Sequence, residues 1–295
     1  MPPRQDARAF LVTGASTGIG RATALRLARA GHEVFAGVRR DADAQQLRAE
    51  GLAGVRPIRL DVTDAVSIRA ASEEVAAATK ERGLAGLVNN AGITTGGPLE
   101  YLDLGELRRV FEVNTIGPVA VTQAFLPLVR TGRGRIVFVT SIGGLFAAPI
   151  IGPYAASKFA LEAIGDALRL ELRPWGIGVS IVEPGAVATE IFAKSRRLAD
   201  EIIAGIGPEA RERYEVAARA VVDRFNGFER SALPADRVAQ RIEHALLSPR
   251  PRTRYLVGSD ARAMAFFSRI LPTRWRDALV VRLFGLAGAG GRGRS

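Results

Sequence analysis

Cysteine is absent from this 295-residue chain, which excludes disulfides, a thiol nucleophile and any zinc site built on thiolate ligands. Histidine occurs only at His32 and His244, too few for a histidine-rich centre, so no metal site is expected. The missing cysteines suit the cytoplasm. Long apolar runs are missing as well: no uninterrupted stretch reaches the roughly 18 residues that cross a bilayer. Met1 to Asp6 is polar, and the first apolar run, Ala9 to Val12, is too short for a secretory h-region. A soluble or at most peripheral protein is therefore expected. Acidic residues are scarce at one end: of a net charge of +11, ten arginines against Asp260 and Asp277 place +8 between Ser248 and Ser295. With no recognised module pairing basic and aromatic residues, a nucleic-acid partner is not expected.

What is present, 47% apolar residues at a mean hydropathy of +0.10, can fill one large core. Ala9 to Val12 is strand-like, stops at a glycine-rich turn, and is followed by helical spacing at Ala24, Leu25, Leu27 and Ala28. Further strand-like runs lie at Glu33–Val38, Val55–Leu60, Gly86–Asn89, Arg135–Thr140, Gly178–Glu183 and Tyr255–Val257, with helical stretches between them. Seven such strands predict an α/β fold: a doubly wound, Rossmann-type parallel sheet with helices on both faces, as a single domain over residues 1–258. Pro57 fits the third strand at an edge. The charged and apolar segment 191–233 falls where insertions cover ligands and reads as substrate-covering. Residues 259–287 read as an amphipathic helical extension, and 288–295, glycine and arginine, as a disordered tail.

Thr13-Gly14-Ala15-Ser16-Thr17-Gly18-Ile19-Gly20 sits between the first strand and the first helix. Glycines there let the backbone approach a pyrophosphate, whose charge suits the unpaired N–H groups of a helix N-terminus. The spacing departs from G-x-G-x-x-G. The same residues satisfy G-x-S-x-G, so a serine hydrolase built on Ser16 with His244 as base is an alternative, although one short strand is little to precede a nucleophile elbow. The second strand ends Val38-Arg39-Arg40 with no acid before Asp41. A carboxylate there would select NAD and repel a 2′-phosphate; a guanidinium can pair with it. NADP(H) is therefore expected over NAD(H), with Arg39 the leading contact and Arg40 the reserve.

Tyr154 and Lys158 stand at i and i+4 of a predicted helix, so their side chains share a face. A neighbouring ammonium favours the phenolate and brings a tyrosine of ordinary pKa near 10 toward use in acid–base catalysis.

Together the glycine loop, Leu60-Asp61-Val62, Asn89-Asn90-Ala91-Gly92, Asn114, Ser141, the Tyr154/Lys158 pair and Pro184-Gly185 with Thr189 resemble the short-chain dehydrogenase/reductase family over nearly the whole chain. The resemblance implies hydride transfer between a nicotinamide and a carbonyl or alcohol carbon. It implies that Tyr154 exchanges the proton, Lys158 lowers its pKa and binds the nicotinamide ribose, Ser141 orients the substrate oxygen, and Asn114 holds a relay water. Gly14, Ser16, Thr17, Gly18, Ile19 and Gly20 would hold the pyrophosphate. Asp61 and Val62 would contact adenine, Asn90, Ala91 and Gly92 would line the cofactor cleft, and Pro184, Gly185, Val187 and Thr189 would border the nicotinamide. Thr17 departs from NADP-dependent members that carry a basic residue in the glycine loop. A non-catalytic NADP-sensing protein of the same fold is the other alternative.

The loop Ile142 to Pro153 is almost free of polar groups, and Phe192 follows shortly after Thr189, which suits an apolar alcohol or ketone. Length, the Arg250-Pro251-Arg252-Thr253-Arg254-Tyr255 approach and the tail resemble the 17β-hydroxysteroid and retinol dehydrogenase branch, which implies steroid-, retinoid- or long-chain-type substrates. A homo-oligomer is expected. In the extension, Ala263, Phe266, Phe267 and Ile270 form one stripe and Leu279, Val280, Leu283 and Phe284 another, with arginines between; such helices lie on anionic membranes or pack on protein.

Overall fold

The computed structural model describes residues 7–189, 207–229 and 232–286. Among them the strands are β1 (Ala9–Val12), β2 (Glu33–Val38), β3 (Val55–Arg59), β4 (Gly86–Asn89), β5 (Arg135–Val139), β6 (Gly178–Pro184), β7 (Val187–Ala188), β8 (Leu233–Pro234) and β9 (Arg254–Val257). Seven form one parallel sheet in the order β3-β2-β1-β4-β5-β6-β9, and β7 pairs with β8 in a separate ribbon. Central strands are apolar nearly throughout because both faces are covered: Phe10, Leu11 and Val12 of β1 are completely buried. The outer strand β3 instead alternates, with Val55 and Ile58 inward and Arg56 and Arg59 exposed. Pro57, which cannot donate to a ladder, is tolerated at that edge.

The helices are α1 (Gly18–Arg29), α2 (Asp41–Ala49), α3 (Ala65–Thr79), α4 (Leu104–Phe111), α5 (Gly117–Thr131), α6 (Gly152–Glu171), α7 (Pro208–Glu229), α8 (Ala235–Leu247), α9 (Ser259–Ile270) and α10 (Thr273–Leu283). One face of the sheet is covered by α1, α2 and α8 through Ala24, Leu27, Leu47, Val238 and Ile242. The other is covered by α3, α5 and α6 through Ile68, Val75, Val121, Phe125 and Leu161. A third, smaller cluster joins Phe146 and Ala148 of the β5–α6 loop to Val221 of α7 and Val280 and Phe284 of α10.

All seven expected strands are present, with ends moved by one residue: Leu60 and Thr140 fall outside, while Pro184 and Arg254 join. The β7–β8 ribbon was not expected, since two-residue strands carry no periodicity to read. The two stripes of the extension part company: Val280 and Phe284 turn inward onto Phe146, whereas Ala263, Phe266, Phe267 and Ile270 face outward while Ala261 and Ala265 make the contact. Of the expected covering segment, residues 191–206 lie outside the described residues, Phe192 with them, as do 1–6 and the tail 288–295. Among the described residues no helix is long and apolar enough to cross a membrane.

Candidate active site

Because the sheet is parallel, every strand delivers its following loop to the same edge. The glycine loop follows β1, Asn90 follows β4, Ser141 follows β5 and Gly185 follows β6. Gly14 and Gly18 have φ of 62° and 56°, values that L side chains rarely adopt. A Cβ on Gly14 would stand 2.8 Å from the Ala91 Cα, so the loop closes directly on the β4 crossing. Thr13 and Asn90 fasten it there. The Thr13 hydroxyl accepts from the Asn90 and Ala91 N–H groups at 2.9 and 3.0 Å, and the Asn90 amide donates to the Thr13 and Gly14 carbonyls at 2.9 and 3.1 Å. At the N-terminus of α1, Thr17 makes no side-chain cap and the first turn carries no acid. Those uncapped N–H groups suit a pyrophosphate, and a dinucleotide fits the cradle on that ground.

The acid–base pair sits on the first two turns of α6. Lys158 is buried and donates from Nζ to the Val139 carbonyl at 3.2 Å, with Nζ 5.9 Å from the Tyr154 ring centre. Gly143 keeps Ser141 close to the tyrosine: a Cβ there would lie 3.2 Å from Tyr154 Cε1 and 3.5 Å from Ser141 Oγ. The electrostatics differ from the sequence expectation. Burial pushes the Tyr154 hydroxyl above its ordinary value, and its bond with Ser141 works against that. Burial also pushes Lys158 down to about 8, opposed by the charge of Glu162. Desolvation is the larger influence on both groups.

Asn114 lies in a π-turn, Glu112–Ile116, between α4 and α5, where the Gly117 N–H reaches back to the Glu112 carbonyl. Its side chain accepts from the Ile93 N–H at 2.8 Å and donates to the Ile93 carbonyl and Ser157 Oγ at 2.9 and 3.0 Å. Ser157 donates in turn to the Tyr154 carbonyl at 2.7 Å. Both amide hydrogens of Asn114 are thus engaged with protein, tying the loop after β4 to the helix that carries the pair. Gly92 stands between them, where a Cβ would be 3.3 Å from Asn114 Oδ1 and 3.5 Å from Lys158 Nζ.

At the adenine end, Arg39 is exposed and makes no hydrogen bond or ion pair among the described residues. Arg40 is held by Asp43 through bonds of 3.0 and 2.8 Å. Asp61 accepts from the Thr63 N–H and hydroxyl, and the Val62 side chain turns inward against Gly117. At the other end, Val187 is buried in the core and Thr189 stands over Gly18. Gly185 is shut by Asp260 of α9, whose carboxylate accepts from the Ala186 N–H at 2.7 Å. Thr13, Ser157, Asp260 and the buried carboxylates Glu162 and Glu183 were missed; a threonine or acid in an apolar stretch was the available signal.

The serine-hydrolase alternative fails on geometry. His244 lies near the end of α8, whose terminal carbonyls bond Arg135 at the amino end of β5, while Ser16 follows the carboxyl end of β1. The ring of His244 is bonded to the Tyr255 hydroxyl at 2.9 Å. Base and serine are on opposite edges of the sheet.

A seven-stranded doubly wound sheet with an uncapped glycine loop and, at its carboxyl edge, a partly buried tyrosine one turn from a buried lysine defines a nucleotide-dependent oxidoreductase class. The family model described as short chain dehydrogenase matches residues 8–199, and the chain belongs to that family. It is 37% identical over 289 residues to retinol dehydrogenase 5 of Mus musculus, covering 94% of this chain and 89% of the relative. It is 31% identical over 277 residues to an NADPH-dependent 3-dehydrocapnine reductase of Ornithobacterium rhinotracheale, covering 92% and 95%. Among solved structures, a short chain dehydrogenase/reductase from Burkholderia phymatum in complex with NAD is similar at a TM-score of 0.74 and 27% identity, covering 89% of this chain and 92% of that one.

Proposed function

We propose that this oxidoreductase uses NADP(H) to interconvert the carbonyl and alcohol of an apolar small molecule of steroid, retinoid or long-chain type. The observation that carries the reading is the Tyr154/Lys158 pair, one helical turn apart beside Ser141, at the edge where the uncapped glycine loop opens. When bound, the nicotinamide supplies or accepts the hydride. Tyr154 gives its hydroxyl proton to the carbonyl oxygen in reduction and takes it back in oxidation, Ser141 orients that oxygen, and Lys158 binds the nicotinamide ribose and, as a cation, favours the phenolate. Asn114 holds the frame of the pair and a relay water. Arg39, exposed and without a hydrogen bond or ion pair among the described residues, is the group we assign to the 2′-phosphate, and the NADPH dependence in the name of the 3-dehydrocapnine reductase supports NADP(H) as the cofactor. The scarcity of polar groups from Ile142 to Pro153, where Ile142, Phe146 and Ile150 belong to one apolar cluster, supports the substrate class.

A membrane-peripheral, cytoplasmic placement belongs to the same proposal, because Phe266, Ile270 and Trp275 are 59%, 56% and 71% exposed among arginines. So does a homo-oligomer, for which Phe159 and Leu170 offer apolar surface on α6.

NADPH consumption across steroids, retinoids, long-chain aldehydes and quinones tests the reading, with Tyr154→Phe alongside. The variant is expected to bind NADPH normally and lose about 10²–10⁴-fold in kcat/KM. Near-full activity in Tyr154→Phe would remove the acid–base assignment; tight NADPH binding with no turnover of any carbonyl by the parent would favour a sensor.

A further inference from the structure

Tyr154, Lys158, Glu162 and Asp166 follow one another at intervals of four along α6, so a single face of that helix carries a phenol, an ammonium and two carboxyl groups in line. Glu162 is 6% exposed, and Glu183, reaching in from β6, is completely buried. Between them comes Arg254 of β9. Its guanidinium donates to Glu162, to Glu183 at 2.5 Å and to Asp166 at 2.5 Å. Asp166 is partly exposed and has Arg169 as a second partner at 3.0 Å.

The charges in this cluster do not cancel locally. Two deeply buried carboxylates share one guanidinium; Glu183 Oε2 has no hydrogen-bond partner among the described residues, and Glu162 has only the Thr140 hydroxyl beside its bond to Arg254. A buried excess of negative charge persists only beside a compensating cation or a bound proton. Lys158 lies one turn toward the cleft on the same helix. It is buried, and its Nζ rests on a neutral carbonyl with no carboxylate bonded to it among the described residues. The other groups facing Glu162 are Thr140 after β5, Glu183 on β6, Arg254 on β9 and, along α6, Asp166. Gly144 admits the carboxylate's stem, since a Cβ there would lie 2.9 Å from the Glu162 Cγ.

We propose that Glu162, backed by Glu183, is the counter-charge that keeps Lys158 cationic in the resting site, a positioning residue that acts on proton transfer through Lys158 and never touches substrate. Burial pushes the Glu162 carboxyl up against its bonds to Arg254, while burial brings Lys158 down to about 8 against the pull of Glu162. The consequence for turnover rests on the proposed role of Tyr154, but the charge relation is a property of the cofactor-free chain and can be read without any substrate.

The chain has three lysines, Lys80, Lys158 and Lys194, so ε-¹³C-lysine labelling gives three resonances, and Lys158→Arg identifies the one that matters. The Lys158 shift is expected to titrate near 8, well below an ordinary lysine. Glu162→Gln should lower that midpoint by about one unit, Glu183→Gln should lower it in the same sense, and Glu162→Asp should restore it. In NADPH-dependent reduction the alkaline limb should move by the same amount in Glu162→Gln. A Lys158 midpoint unmoved in a folded amide variant overturns the proposal. So does a uniform loss of rate with the limb in place, which would make Glu162 a partner of Arg254 alone. If no carbonyl compound is reduced, the proposed reaction fails while the titration still decides this point.

Discussion

Lys158 lies too deep for full hydration, and its titration fixes the pH behaviour expected of the site. Burial lowers it to about 8 from an ordinary 10.5, so it is cationic below that value and loses its charge as pH rises through it. Carbonyl reduction by the proposed route, with a protonated Tyr154 beside a cationic Lys158, should hold steady below about 8 and decline above it. A rate that climbs from pH 8 to 10 would contradict this. The contact proposed for Arg39 concerns the choice of cofactor. Reversing its charge in Arg39→Glu should cut kcat/KM for NADPH by about 10- to 100-fold, the worth of one or two charge-assisted hydrogen bonds, and leave NADH nearly untouched. Equal losses with both cofactors would show that Arg39 serves the fold and not the phosphate. Arg40 should matter less, because Asp43 already holds it in a two-point bond.

Helix α9 presents Phe266, Phe267 and Ile270 to solvent while Asp260 at its start locks the turn after β6. If that outward row meets lipid, the protein should sediment with anionic vesicles at moderate salt, and Phe266→Ser with Ile270→Ser should release it without altering reduction of a soluble carbonyl. No sedimentation of the parent protein removes the membrane proposal. The element order was legible in the sequence for a physical reason: strands buried on both faces leave apolar runs such as Ala9–Val12, and glycine loops interrupt them where a ligand or another backbone comes close. Pro57 even disclosed which strand is outermost. The Tyr154/Lys158 pair was legible because i and i+4 positions must share a face. The orientation of α9 was not legible, since Ala261 and Ala265 look no more inward than Phe266 until a neighbour is present. Nor was the π-turn at Asn114, which needs one extra residue per turn and no special composition. The Glu162–Arg254–Glu183 cluster joins three distant parts of the chain, and no local pattern announces it.

Across the whole molecule, the parallel sheet separates the chain into two unlike ends. Loops bearing glycine, asparagine, serine and tyrosine gather at the carboxyl edge, while His32, packed on Phe10 with ring centres 5.2 Å apart, and His244, bonded to Tyr255, lie at the amino edge. Proton movement at the working edge is therefore left to a phenol, an amine and carboxyl groups. Acylating both imidazoles with diethyl pyrocarbonate should leave turnover intact, and the rate should show no dependence on the imidazole range that vanishes when His32 and His244 are replaced. Such an enzyme would keep its rate through mild acidification, with imidazole taking no share in its response to pH.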